Sequence, residues 1–357
     1  MTEKKENSDD TQAWQKSRVY VDHVGKVLTS FQTTIRTLLI DERSNPPVVS
    51  PASHFLVTRF LRGRTMKALF YYATLTFHGE EVANTPHLSS SQLIRFFSPG
   101  ELAAMIAAIY AYRRIKGQAP PEQWNEISEQ MILEADIGMH TGMAIPAIGG
   151  MVGMLAGLMP RLSRGLFLVE DPDLFSEYWR RINLEDLCAA EELELELWGC
   201  TSRHIGCSLL QGLGLSVPMA HGLYVGLSSR PPSDDKEERL GYAFAIAREW
   251  IKGLHENGAP PERVHMGKYY PLQTALHKLL YRVNRLREHG NGYRWLERSK
   301  DDISVEKTPQ LFQEALMEGQ NPGALKEFYK QHLPQEVLQT LSEEELSNIS
   351  SNEEEMD

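Results

Sequence analysis

One hydrophobic spacing recurs along the chain. Val21, Val24, Leu28, Phe31, Ile35 and Leu38 fall at intervals of three and four, which sets them in a stripe along one predicted helix. Asp41 and the Asn45-Pro46-Pro47 cluster end it, since proline lacks the backbone donor a helix needs. A second helical block is predicted from Ser53 to Thr76. The segment from Ser89 to Ile115 then reads as two helices divided at Ser98-Pro99-Gly100. Ser98 is placed to cap the second of these, with Pro99 in its first turn and Glu101 near its positive end. Strand signals are scarce. Leu166 to Val169 could be extended, but no alternating run elsewhere offers it a partner. The expected fold is all-α, a compact multi-helix bundle with at most two short strands, and no repeat period is visible.

Between Ile137 and Pro160 runs an apolar stretch long enough to invite a transmembrane reading. His140, Pro146 and the Gly149-Gly150 pair divide it in two. Gly149, Gly153 and Gly157 recur at the four-residue spacing of close helix contact. Two buried helices packed through small residues explain the same facts.

Charge changes the picture at the C-terminal end. The chain of 357 residues carries a formal charge of −11. From Val305 to Asp357 there are 12 acidic and 3 basic residues, a contribution of −9, so the remainder carries only −2. This balance disfavours a nucleic-acid binder. Leu311, Leu316, Leu325, Phe328 and Leu338 can support short amphipathic helices, whereas the segment after Leu341 has almost nothing to bury and is expected to be disordered. The predicted organisation is therefore a disordered stretch over 1–12, an N-terminal helix and proline-containing linker over 13–50, a helical domain over 53–300 and an acidic tail over 301–357. The N-terminal helix can pack on the domain or on a second copy of the chain. Cys188, Cys200 and Cys207 are too few for a disulfide framework or a zinc site and are read as buried thiols of a reducing compartment. No secretory signal pattern opens the chain, and a cytoplasmic protein is expected.

Catalytic signatures are missing. The chain has no phosphate-binding Gly-Lys-Ser loop, no Gly-x-Ser-x-Gly elbow and no His-Glu-x-x-His. Gly212-Leu213-Gly214 lacks the preceding strand a dinucleotide loop requires, and the 12 histidines are scattered.

One region does carry a pattern. Glu194, Gly199, Ile205-Gly206, Leu209-Leu210 and Leu213-Gly214-Leu215 follow one another without a gap. Upstream, Trp124 opens a helical run, and Gly157-Leu158-Met159-Pro160-Arg161 lies further along. This arrangement resembles the HDOD domain, the bacterial signalling-output relative of the HD phosphohydrolases, over roughly Ser53 to Ser299. The match is good over only about 35 residues. An HD enzyme holds divalent metal with His and Asp side chains to activate water against a phosphate ester. At the positions the resemblance assigns to those ligands stand Pro160 and Arg161, Ser202, and Gly226 with Leu227, while Glu126 occupies a place near Trp124 where the family often has His. Pro, Gly and Leu offer no side-chain ligand, and Arg repels a cation. The resemblance thus implies a domain without catalytic residues, metal or cofactor, whose relict pocket holds Glu126, Glu194, Ser202 and His204. It also implies a signalling or scaffold role exercised on a partner protein or regulatory ligand.

Two alternatives remain open from the sequence. One is a phosphohydrolase with an atypical metal site assembled from Glu126, Asp136, Glu194 and His204; the other is a membrane-associated helical protein. Separately, Lys278, Arg282, Arg285, Arg287, Arg294, Arg298 and Lys300 put seven basic residues into 23, with Tyr281, Tyr293 and Trp295 among them. They can form a patch for an anionic partner such as a nucleotide second messenger, or a solvated face whose arginines pair with Glu288, Glu297 and the acidic tail. A homodimer is also open.

Overall fold

The computed structural model describes residues 2–83, 85, 87–182, 190–228, 238–262, 267–289, 294–299, 310–311, 330–331, 333–342 and 344–345. The fold is all-α apart from a two-residue parallel bridge between His87–Leu88 and Gln310–Leu311. Leu311, expected on an amphipathic helix, lies in that bridge. Two compact units emerge, one of residues 1–27 with 108–290 and the other of 28–107 with 291–357. This division cuts across the single domain expected over 53–300.

In the first unit the chain begins with α1 (Thr2–Val21), so the polar stretch 2–12 expected to be disordered is helical. A 3-10 turn follows at Asp22–Val24. The stripe from Val21 to Leu38 was expected on one helix, but it is broken here: Gly25 adopts φ 76°, and a new helix, α2 (Thr29–Glu42), starts only at Thr29. Spacing alone missed the break because Val21, Val24 and Leu28 keep the helical interval across it.

The centre of the first unit is the helical hairpin of α7 (Pro121–Ala144) and α8 (Gly150–Glu170). The divided apolar stretch forms it, as two buried helices in close contact. A Cβ at Gly138 or Gly142 would strike the backbone of Gly153 or Gly149, and one at Gly157 would strike the carbonyl of Glu134, all well inside 3.0 Å. Any side chain there would force the helices apart. Helix α8 is long and apolar enough to cross a membrane, yet 78% of that stretch is buried inside the protein. Leu166 to Val169 lie within this helix rather than on a strand.

The remaining helices of the unit cover the hairpin. Besides the end of α6 (Pro99–Lys116), they are α9 (Pro172–Ile182), α10 (Ala190–Trp198), α11 (Ser202–Gly212), α12 (Val217–Gly226), α13 (Arg239–Asn257) and α14 (Gln273–His289). Trp124, at the start of α7, is buried against Tyr112 with 5.3 Å between ring centroids.

The second unit holds α2, α3 (Pro51–Phe60), α4 (Arg64–Val82), α5 (Ser90–Arg95), the start of α6 and the single turn α15 (Gln335–Leu338). The block expected over 53–76 is thus two helices parted at Gly63. Ser98 caps α6 as anticipated. Its Oγ accepts from Glu101 N at 3.2 Å, while Glu101 Oε2 accepts from Ser98 N at 2.8 Å. Burial raises the pKa of the Glu101 carboxyl, against the lowering effect of those hydrogen bonds. Leu333, Leu338 and Leu341 pack with Leu56, which gives the tail's Leu338 its apolar contact. Of the acidic segment expected to be disordered, all but Ser342, Glu344 and Glu345 lies outside the described residues, as do Cys188, Tyr293 and Lys300.

Candidate functional site

Glu194 stands on α10, one turn before the chain turns into α11. Gly199, at φ 67°, permits that tight turn, and the backbone of Ser202 is thereby brought back over the carboxylate. Glu194 is 0% exposed. Its Oε2 accepts from Ser202 N at 2.7 Å, at the N-terminus of α11, where unpaired amides favour negative charge. Its Oε1 accepts from Tyr178 OH at 2.6 Å and from Arg164 Nε at 2.9 Å. The Arg164 Nε–H also reaches Tyr178 Oη at 3.0 Å. A buried carboxylate is thus neutralised by a guanidinium and held by two further donors, as a charge removed from water must be. Burial raises the Tyr178 pKa well above the ordinary phenol range. Burial alone would lower the Arg164 pKa, but Tyr178 and Glu194 outweigh it and the guanidinium stays charged.

Three residues away on α8, the other arginine makes a second pair. Arg161 donates to Glu134 of α7 in a two-pronged contact, Nε to Oε2 at 2.9 Å and Nη2 to Oε1 at 2.8 Å. His255 Nδ1 lies 3.6 Å from the same carboxylate, and the guanidinium sits 5.9 Å from the centre of the Trp179 ring.

His204 is the third residue of α11 and serves its own helix. Thr201 Oγ1 accepts from His204 N at 3.4 Å, and His204 Nδ1 accepts from Thr201 N at 3.3 Å in a reciprocal cap. The other face of the ring meets Trp14 of α1 and Tyr224 of α12, with centroids at 4.7 and 5.2 Å. Arg203 stacks over Tyr224 at 4.8 Å and donates to Glu191 at 2.8 Å.

The expected relict pocket is only partly assembled. Glu194, Ser202 and His204 share the α10–α11 junction, Ser202 contributing its backbone N–H. Glu126 lies on an exposed face of α7 and takes no part in the Glu194 cluster. Gly226 belongs to packing, since a Cβ there would strike Phe244 and the carbonyl of Gly241 on α13. Leu227 is core, and its carbonyl accepts from Arg248 at 2.9 Å. Pro160 is an interior residue of α8. Among the described residues no group of three or more His, Cys, Asp or Glu side chains is arranged to hold a metal, so the alternative site of Glu126, Asp136, Glu194 and His204 is not formed. The Glu194 cluster does not fit a divalent cation: both carboxylate oxygens are occupied by donors, and a guanidinium stands against one of them.

Arg164, Tyr178 and Trp14 were not singled out from sequence. Arg164 had a signal, because a charged residue inside an apolar helix requires a partner. Tyr178 and Trp14 had none. The expected anion patch is divided. Lys278, Arg285 and Arg287 are exposed on α14 and Arg282 is half-buried there. Arg285 lies 5.8 Å from the ring centre of Tyr281, and Arg287 Nη2 donates to the Glu256 carbonyl at 3.1 Å. Arg294 belongs to the second unit and pairs with Glu297 at 3.1 Å. Cys200 and Cys207 are free buried thiols, pushed up by burial to about 12 and about 11 respectively, which makes both poor nucleophiles at neutral pH.

No known family profile matches the chain, and no curated protein matches its sequence. Among solved structures, it is similar to a protein from Marinobacter aquaeolei VT8 whose name assigns it provisionally to signal transduction. The TM-score is 0.53 at 13% identity, over 74% of this chain and 59% of that one. This chain therefore spans less than two thirds of that protein's length, and the likeness is one of fold.

Proposed function

We propose that this protein is a non-catalytic component of signal transduction, a helical scaffold of the HDOD type that acts by binding a partner protein. One observation carries the reading. At the place where the resemblance calls for a metal-holding cleft, the Glu194 carboxylate is engaged by Arg164, Tyr178 and the Ser202 amide. A carboxylate so engaged already has a donor on each oxygen and a guanidinium against one of them, and freeing it would strand a buried charge. The similarity in fold to a protein named for signal transduction supports the same direction. Buried, weakly acidic thiols at Cys200 and Cys207 agree with a reducing, cytoplasmic setting.

The test is metal analysis of the purified protein combined with a hydrolysis assay on cyclic dinucleotides and phosphate monoesters. The expected outcome is metal well below one equivalent and no turnover above the buffer rate, with Glu194→Ala changing stability alone. Stoichiometric iron, manganese or zinc, or a turnover abolished by Glu194→Ala, overturns the proposal.

A further inference from the structure

Basic residues elsewhere in the first unit gather where a helix end accounts for them. Arg113, Arg114 and Lys116 lie in the last turn of α6, and Arg180 and Arg181 in the last turn of α9, beside the partial negative charge of unpaired carbonyls. Helix α14 departs from this pattern. Over Gln273–His289 it carries Lys278, Arg282, Arg285 and Arg287 against the one acid Glu288, a sum of 4 − 1 = +3 in a chain of −11. Arg287 has a structural use near the C-terminal end, with Nη2 on the Glu256 carbonyl. Lys278 and Arg282 stand in mid-helix and Arg285 one residue before the last turn, and the terminal field falls off within that turn. Among the described residues neither Lys278 nor Arg285 pairs with a carboxylate.

The same helix is thinly covered. It rests on α7 and α13 with Leu279 and Val283 buried, and leaves Lys278, Tyr281 and Arg285 exposed, with Arg282 half-buried beside them. Positions 278, 281, 282 and 285 recur at i, i+3, i+4 and i+7, so they share one face over about 10 Å at 1.5 Å per residue. Tyr281 is 57% exposed in the middle of this stripe, and the Arg285 guanidinium lies 5.8 Å from its ring centre. Tyrosine and arginine are the residue types that concentrate binding energy at protein–protein contacts, and tyrosine does so at low entropic cost.

We propose that this face of α14 is the docking surface for an acidic segment of the partner protein, whose carboxylates meet Lys278, Arg282 and Arg285 while an apolar side chain packs on Tyr281. The inference rests on the partner-binding reading above and supplies the partner's chemistry. Size and shape choose this occupant over other anions. Duplex DNA presents a phosphate per about 1.7 Å of axis, roughly six along the stripe against three cations. Beyond the stripe it would run over a remainder of the chain that carries −11 − 3 = −14. A nucleotide is held in a concave pocket that covers most of its surface, whereas this stripe is the convex outer side of one helix. A short segment with a few carboxylates in two turns matches both the length and the charge.

The test uses the full chain and a fluorescent alanine–glutamine helical peptide that carries glutamates at i, i+4 and i+7 and a leucine at i+3. Anisotropy is read at about 0.1 M salt, where the Debye length of about 10 Å spans the stripe. K278E/R285E is expected to weaken binding about tenfold, while R113E/K116E, the same charge change on exposed residues of α6, leaves it within about twofold. Tyr281→Ala is expected to weaken the leucine peptide about threefold and to leave unchanged a peptide with alanine in its place. Equal losses in the two charge-reversed variants overturn the proposal, because net charge and not this face then governs binding. No binding by the unaltered protein at about 1 mM peptide overturns it as well. Should K278E/R285E lose its helical circular dichroism, Tyr281→Ala decides, since an effect that ignores the leucine removes Tyr281 from the contact. Tighter binding of single-stranded DNA or a cyclic dinucleotide, lost in K278E/R285E, overturns it in favour of a nucleotide ligand. Dimers of the chain that dissociate in the same variant overturn it in favour of a second copy. Bound metal or hydrolysis would defeat the non-catalytic reading and leave the peptide result standing, so the two failures are distinguishable.

Discussion

Two arginines three residues apart on α8 make the same chemical bond to two glutamates, yet the pairs stand in different surroundings. Arg161 and Glu134 are 17% and 16% exposed, and water reaches both partners. Arg164 is 18% exposed, but its partner Glu194 is 0% exposed and has three donors around it. The difference lies in the alternative available to each glutamate. If its arginine is lost, Glu134 can be rehydrated; Glu194 remains a charge in the interior. A partly wet ion pair contributes little, whereas half of a buried one is a liability. Hence the pair that looks least unusual in sequence, an arginine and a glutamate 30 positions apart, is the one on which the α10–α11 junction depends.

The strongest way to break the comparison is to remove each arginine alone. Arg164→Ala should cost about 3–5 kcal/mol in urea unfolding, the range for stranding a buried charge. The double variant R164M/E194L should recover much of that loss, because replacing both charges removes the penalty instead of exposing it. A double variant no more stable than Arg164→Ala would mean that the cluster contributes through its charge itself.

Tyr178 sharpens the comparison, since it serves only the sealed pair. Tyr178→Phe deletes a donor to a buried carboxylate and should cost about 1.5–3 kcal/mol at neutral pH. Its pH dependence carries a sign. Burial raises the Tyr178 pKa in the folded state, and Tyr20 is likewise raised to about 12 by burial, with the nearby Cys200 and Glu170 adding to it. Both phenols favour the fold while neutral, so their contribution is fully present below the unfolded value near 10 and is lost as pH climbs through and beyond it. Chemical unfolding from pH 8 to 11.5 should therefore show stability falling above pH 10, with a shallower fall in Tyr178→Phe. An unchanged slope would detach Tyr178 from the cluster.

The smallest effect belongs to the wetter pair. Arg161→Ala should cost only about 1 kcal/mol, the upper end for a solvent-accessible pair. That cost should shrink further at 1 M salt, where the Debye length is about 3 Å. The Arg164→Ala penalty should not follow salt in this way. Parallel urea titrations at low and high salt compare the two directly.

How far these features were legible differs from element to element. The α7–α8 hairpin could be read in advance, because Pro146, the Gly149-Gly150 pair and the four-residue glycine spacing are local signals and helix contact needs little else. The Ser98–Glu101 cap was equally local. The stripe from Val21 to Leu38 misled, since periodicity reports which residues share a face and is indifferent to a turn that preserves the interval, as Asp22 to Leu28 do.

At the site, it was the resemblance that singled out Glu194 and Arg161. It could not assign Arg161 to Glu134 or Arg164 to Glu194, because ion pairing across 27 and 30 residues depends on how α8 is rotated between α7 and α10. Glu126 was placed in the pocket from the same resemblance, and the rotation of α7 turned it to solvent. The sequence by itself determined the all-α class and the tightly packed hairpin, since each follows from residue types and intervals of a few positions. Only the tertiary structure decided that α1 covers His204 and Trp198, and that Tyr178 and Ser202 close around Glu194. Those contacts join residues 8 to 190 positions apart, and helix packing, which no local pattern encodes, brings them together.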